Sequence, residues 1–194
     1  MNPLLLALGL LLGGGLLGQP AAAPATPAPA PPLAQDADCV RGAAEPIVKK
    51  AVFPRSTFRL LPDKINGIET IACPNGDQVV IYNEGCEYYM LRFLITTARF
   101  GPPTTNPAPW FRHAATLMSG LLPGLQAPID LPQGIRLLTA RLNQDQKKPG
   151  RPLALGEDIF YGSKTMRSSV SIDSLARGAG NQTVVAVTFA IGPL

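Results

Sequence analysis

The sequence predicts an α+β domain: a mainly antiparallel sheet, made of an N-terminal meander and a C-terminal hairpin, with two helices packed on one face. Three observations carry this. β-prone runs broken by short turn signals fill residues 56–97. Two segments with helical apolar spacing follow, between Asn106 and Gln144. Strand-like runs return after Asp158. Strands, then helices, then strands place the helices against one sheet rather than between parallel strands.

The meander opens with a strand over 56–61. Residues 68–72 form the next, and Pro74-Asn75-Gly76-Asp77 follows. Asn-Gly is the preferred centre of a two-residue type I′ hairpin, which sets Cys73 beside Gln78. The return strand runs from Gln78 to Tyr82. Asn83-Glu84-Gly85 turns the chain again, with Gly85 suited to positive φ. A long strand over 86–97 has apolar residues on both faces, which predicts a central place with burial on both sides. In the first helix Asn106 caps and Pro107 enters the first turn. Trp110, Ala114, Leu117, Met118 and Leu121 share its apolar face, and Pro123-Gly124 ends it. In the second, Asp130 caps and Ile135, Leu138 and Leu142 form the apolar stripe. Residues 147–156 read as loop. Strands over 158–161, 166–172 and 183–191 complete the chain, with Gly178-Ala179-Gly180-Asn181 joining the last two.

Ahead of this domain, at 36–194, the chain reads as an address. Residues 4–18 are an uncharged Leu/Gly run, shorter than the ~20 residues a membrane span needs. With Ala21-Ala22-Ala23 as a small-residue cleavage site, residues 1–23 match a secretory signal peptide, a cut after Ala25 being the second option. Residues 24–35 are a Pro/Ala-rich spacer, either extended and polyproline-like or a disordered tail. Cys39 lacks a lipid-attachment pattern. The expected location is periplasmic or secreted, with no stable membrane span once the leader is removed.

The 194 residues are 46% hydrophobic, enough for a core, and only 15% charged, against about 25% in ordinary domains. The net charge is +4 and every charged residue lies at or after Asp36. The densest basic group, Lys147, Lys148 and Arg151, sits in a Pro/Gly loop without interleaved aromatics, so nucleic acid is not an expected partner. One histidine and three cysteines exclude a multi-histidine metal centre and an all-cysteine zinc site, and no cofactor is expected.

Export permits disulfides. The meander register sets Cys73 and Cys86 two strands apart and roughly 13 Å along the strand direction. A disulfide needs Cα atoms within about 7 Å. Cys39, on a lead-in segment, can reach Cys86, so the expected bridge is Cys39–Cys86. It stabilises by about 4 kcal/mol in the chain-entropy account. Cys73 is then a buried free thiol.

Chemistry is sparse. His113 is the sole imidazole and falls on the polar helix face beside Arg112. Glu84/Glu87 and Glu157-Asp158 are carboxylate pairs close in sequence, but two-carboxylate hydrolysis needs groups set across a cleft. No Gly-x-Ser-x-Gly elbow, Walker loop or dinucleotide fingerprint is present. The aromatic concentration around residues 82–111 reads mostly as packing. Rings left exposed beside an arginine would form an interaction patch, for which Tyr88, Arg92 and Trp110 are the candidates.

The stretch Phe53-Pro54 … Gly67-Ile68-Glu69 … Asn75-Gly76-Asp77 … Gly85-Cys86-Glu87-Tyr88-Tyr89 resembles small exported bacterial proteins to which no activity is attached; the resemblance implies export. Ala72-Cys73-Pro74-Asn75-Gly76, followed by a valine-rich strand, resembles the opening of periplasmic lysozyme inhibitors of the C-type. The Ser-Gly-containing inhibitory segment of that family has no counterpart, so no inhibitory residue is carried over. The functional expectation is an exported, non-catalytic envelope protein that binds a protein or cell-wall partner, inhibitor-like or immunity-like. Its rivals are a periplasmic hydrolase using His113 or a Glu/Asp pair, and a structural module held out on the spacer.

Overall fold

A computed structural model describes residues 39, 41–147, 152–163 and 165–192. The leader, the spacer, and Lys148 and Arg151 of the basic group lie outside the described residues. The elements run β1 (Thr57–Leu60), β2 (Gly67–Ala72), β3 (Gln78–Glu84), β4 (Tyr89–Thr97), α1 (Ala108–Leu121), a 3-10 turn (Leu122–Gly124), α2 (Leu131–Lys147), β5 (Ile159–Gly162), β6 (Arg167–Arg177) and β7 (Thr183–Gly192). The strands form one seven-stranded sheet in the order β1-β2-β3-β4-β7-β6-β5. Every neighbouring pair is antiparallel. The last strand thus pairs with β4 at the centre and welds meander and hairpin into a single sheet.

Strand alternation decides what faces the helices. On β3, β4, β6 and β7, Val79, Ile81, Leu91, Phe93, Ile95, Val170, Ile172, Val185, Val187 and Phe189 are buried on that side. They meet Phe111, Ala114, Leu117, Met118 and Leu121 of α1 and Leu131, Ile135, Leu138 and Leu142 of α2 in one core. Phe93 and Phe189 pack edge to face at its middle, 5.9 Å apart. β4 is central, as its apolar character predicts, but only one of its faces is fully buried; Met90, Arg92, Leu94 and Thr96 on the other are half-buried. Asp130 Oδ1 accepts from the Gln133 N–H at 2.8 Å and caps α2 as expected, whereas the N-cap of α1 is Pro107, and Asn106, one residue earlier, accepts from the Ala108 N–H at 3.0 Å.

Both meander turns differ from expectation. Ala72, not Cys73, stands opposite Gln78. Pro74 takes the second position of a tight turn closed by Gly76 N–H donating to Cys73 O at 3.1 Å. Gly76 alone adopts positive φ, +87°. A type I′ pair would require Asn75 at positive φ as well; instead its side chain accepts from the Asp77 N–H and the turn gains one residue. At the other end β3 runs on through Glu84, which pairs with Met90, so Cys86 lies in the turn rather than in β4. Cys73 and Cys86 therefore sit at opposite ends of β3, and the disulfide joins Cys39 to Cys86.

Sequence periodicity gave no role to residues 41–53, which fold as an irregular strap along the helix side of β2 and β3. Glu69, pointing inward from β2 and only 1% exposed, accepts the N–H groups of Ile47 at 2.5 Å and Val48 at 3.0 Å. From the other side, Gln126 N–H donates to Ile47 O and Lys49 N–H donates to Gly124 O, each at 2.8 Å. Asn83 Nδ2 donates to Glu45 O at 3.1 Å. The strap thus joins the sheet to the connection between the helices.

Burial holds the Glu69 carboxyl above the ordinary carboxylate range, against the pull of its two backbone donors. The folded chain binds that proton more tightly than the unfolded chain. The group therefore favours folding most at pH below the ordinary range, and its contribution falls as pH rises through that range to the raised folded value. Urea unfolding across pH 4 to 8 checks this: stability relative to Glu69→Gln should fall as pH rises. Glu69→Ala, which orphans two buried N–H groups, should cost about 2–5 kcal/mol.

Candidate functional site

The helix-facing side of the sheet is consumed by the core, so exposed chemistry collects on the opposite face, which no described element covers. Cross-strand pairing fixes its rows. One runs Phe160, Ser169, Ala190, Met90, Glu84. The next runs Ser171, Thr188, Arg92, Tyr82, Ile68. Leu94, flanked by Val80 and Ala186, marks a more apolar centre. Arg92 pairs with Glu84 at 3.9 Å. A bulge between Ile172 and Ser174 presents Asp173, whose carboxylate accepts from the hydroxyls of Ser171 and Thr188.

A groove of about 410 Å³ opens at one corner of this face, lined by Tyr88, Phe160, Arg167, Ser169, Ala190 and Gly192. Tyr88 and Phe160 are each 55% exposed. The Arg167 guanidinium lies over the Phe160 ring, 4.8 Å from its centroid. The Tyr88 ring rests on Gly192, where a Cβ would fall 2.0 Å from it, so only glycine lets the ring lie down on β7. Two aromatic rings and a guanidinium around a small-residue floor form a surface for stacking and hydrogen bonding.

The expected patch is redrawn. Tyr88 and Arg92 do share this side of the sheet. Trp110 does not: it is 3% exposed and packs edge to face on Phe100 at 5.9 Å. Its place on the apolar face of α1 turns it into the core, the same periodicity that identified the helix. Phe160 and Arg167 take its place. Their signal was present in the alternation of β5, where buried Tyr161 forces Phe160 outward.

His113 is not the free surface imidazole expected. Its ring stacks on Phe100 at 3.9 Å and meets Trp110 edge-on at 5.3 Å. Burial lowers its pKa. Of the carboxylate pairs, Glu84 meets Arg92, and Glu157 lies 3.6 Å from Arg141 and accepts from the Ala154 N–H. Among the described residues, no group of three or more His, Cys, Asp or Glu is placed to hold a metal ion, and no helix is long and apolar enough to cross a membrane.

Cys73 is a free thiol but half-buried rather than buried: it lines a second hollow, of about 250 Å³, with Phe53, Asp77 and Arg99 beneath the end of α1. Asp77 is buried and pairs with Arg99 at 3.4 Å. Burial, then the Asp77 charge, pushes the thiol above its ordinary range, which withholds the reactive thiolate.

No protein-family model, curated protein or solved structure matches this chain.

The state of Cys73 gives a direct check. Iodoacetamide at pH 8, followed by peptide mass spectrometry, should modify Cys73 in the native protein about tenfold or more slowly than in the guanidinium-unfolded protein. Asp77→Asn should speed the native reaction.

Proposed function

We propose that this chain is an exported, non-catalytic envelope protein that holds a protein partner through the open face of its sheet, in the manner of an inhibitor or immunity protein. The observation that carries this reading is the groove formed by Tyr88, Phe160 and Arg167. Large aromatic and arginine side chains at the edge of a small-residue surface are the residue types that dominate binding energy at interfaces. The central half-buried apolar positions Leu94 and Val80 would be desolvated beneath the partner, with Arg92, Glu84 and Asp173 forming the polar surround.

Export is supported by the leader-like opening and by the Cys39–Cys86 disulfide, which belongs to an oxidising compartment. A catalytic role for His113 is disfavoured by its stacking between Phe100 and Trp110, where its partners are rings. A cell-wall glycan would also stack on Tyr88 and Phe160, and the test separates it from a protein.

A photo-crosslinker placed at Ala190, in the groove floor, should yield one discrete protein adduct in cells. The same group at Arg136, exposed on α2, should not. Tyr88→Ser with Phe160→Ser should abolish the adduct while leaving the unfolding transition in place. Co-sedimentation with purified peptidoglycan, without an adduct, would replace the protein partner by the wall. Equal adducts from both positions, unaffected by the double substitution, would refute the reading.

A further inference from the structure

A hollow of about 510 Å³ lies on the helix side of the sheet at the disulfide end, across the sheet from the groove: Tyr89 in its wall pairs with Ile191, which borders the groove. Its wall includes Arg41 and Glu45 of the strap, Asn83 and Tyr89 of β3 and β4, and Gln126 of the helix connection. That size falls in the range of small-ligand sites.

Arg41 is its most informative residue. One guanidinium N–H donates to Gly85 O at 2.9 Å and another to Asn83 Oδ1. The guanidinium plane stands over the Tyr89 ring, 4.2 Å from its centroid. Every one of these partners is neutral, and among the described residues no carboxylate lies within ion-pair distance of Arg41. A guanidinium has more N–H donors than these contacts use. A cation drawn partly out of water and held only by neutral acceptors lacks the partner that would offset its desolvation. Burial correspondingly lowers its pKa.

The guanidinium is also held in place. Asn83 is 1% exposed and committed on both sides, to Arg41 through Oδ1 and to Glu45 O through Nδ2. Gly85, the other acceptor, is tied to Asn66 Oδ1 at 3.0 Å and neighbours the disulfide. The Arg41 end of the site is therefore organised before any ligand arrives, which lowers the cost of binding. Glu45 brings a carboxylate to the same wall, and the side-chain amide of Gln126 makes no hydrogen bond within the described residues. A simple anion would meet Arg41 but also the Glu45 charge. A molecule with a carboxylate at one end and an ammonium at the other meets both.

We infer that this hollow binds a zwitterionic amino compound of the size of an amino acid or dipeptide, its carboxylate on Arg41 and its ammonium toward Glu45. The site is independent of the open face, and its ligand is not the partner proposed there.

The test uses alanyl-alanine as probe against the 15N-labelled protein. Millimolar dipeptide should shift the resonances of Asn83, Tyr89 and Gln126 saturably, while those of Thr97 and Thr183, at the opposite end of the β4–β7 ladder, stay fixed. The C-terminal amide of the dipeptide should bind at least tenfold more weakly, and so should the N-acetylated form. Arg41→Gln should lose at least tenfold in affinity. Because Arg41 also anchors the strap, Glu45→Gln provides a second variant whose loss should be selective, weakening the free dipeptide but not the N-acetylated one. No saturable shift with any probe, or equal affinity for dipeptide and amide, would overturn the inference. The crosslinking at Ala190 is unaffected by either result, so the two readings fail separately.

Discussion

The two hydrogen bonds that the buried Glu69 carboxylate accepts from Ile47 and Val48 are the contact on which the arrangement of the molecule depends. Glu69 rises from β2 into the core side of the sheet. The backbone it holds is held in turn by Gln126 and Gly124, between the helices. Three separate stretches of chain meet there. Remove the carboxylate, and two buried donors lose their acceptor while the strap loses its hold on β2. A carboxyl in such a place is costly, as its raised pKa records, and its two donors offset part of that cost. The Cys39–Cys86 bridge and the Arg41–Asn83 contact repeat the attachment further up the strap.

This arrangement makes the two faces of the sheet unlike. With α1, α2 and the strap all on one side, the apolar positions of that face are sealed. The other face mixes small and β-branched residues with Met90, Arg92, Leu94 and Tyr82, and has an aromatic corner at Tyr88 and Phe160. The same asymmetry produces the two candidate sites. The open face offers breadth suited to a macromolecule. Beside the strap lies an open hollow whose charges, Arg41 and Glu45, suit something small. Cys73 and His113, the residues with the most intrinsic reactivity, are both drawn into packing instead, one beneath the end of α1 and one against Phe100.

Much of this was legible in the sequence, and what was not has physical reasons. Every strand and both helices follow from alternation, apolar spacing and the helix-start residues Asn106-Pro107 and Asp130. The disulfide follows from topology: a meander carries Cys73 and Cys86 to opposite ends of β3 even though both turns are built differently from the expected ones. The turn at Pro74-Asn75-Gly76 departs from the two-residue type I′ form because the fixed φ of Pro74 suits the second position of a tight turn, which adds a residue. The pairing of β4 with β7 is long-range and leaves no local trace. Nor does the strap, because its order comes from Glu69, a lone charge inside a β-prone run that local pattern reads as a surface residue. Trp110 shows the reverse fault: its periodicity placed it in the core, and its aromatic character alone argued for the surface.

The central claim is that the strap belongs to the cooperative fold through Glu69. Native-state hydrogen exchange at the Ile47 and Val48 amides tests it most directly. The account predicts that both exchange only through global unfolding, with the same free energy as the Ile81 and Phe93 amides of β3 and β4. Exchange at the rate of the exposed turn around Gly156, with β3 and β4 still protected, would contradict it.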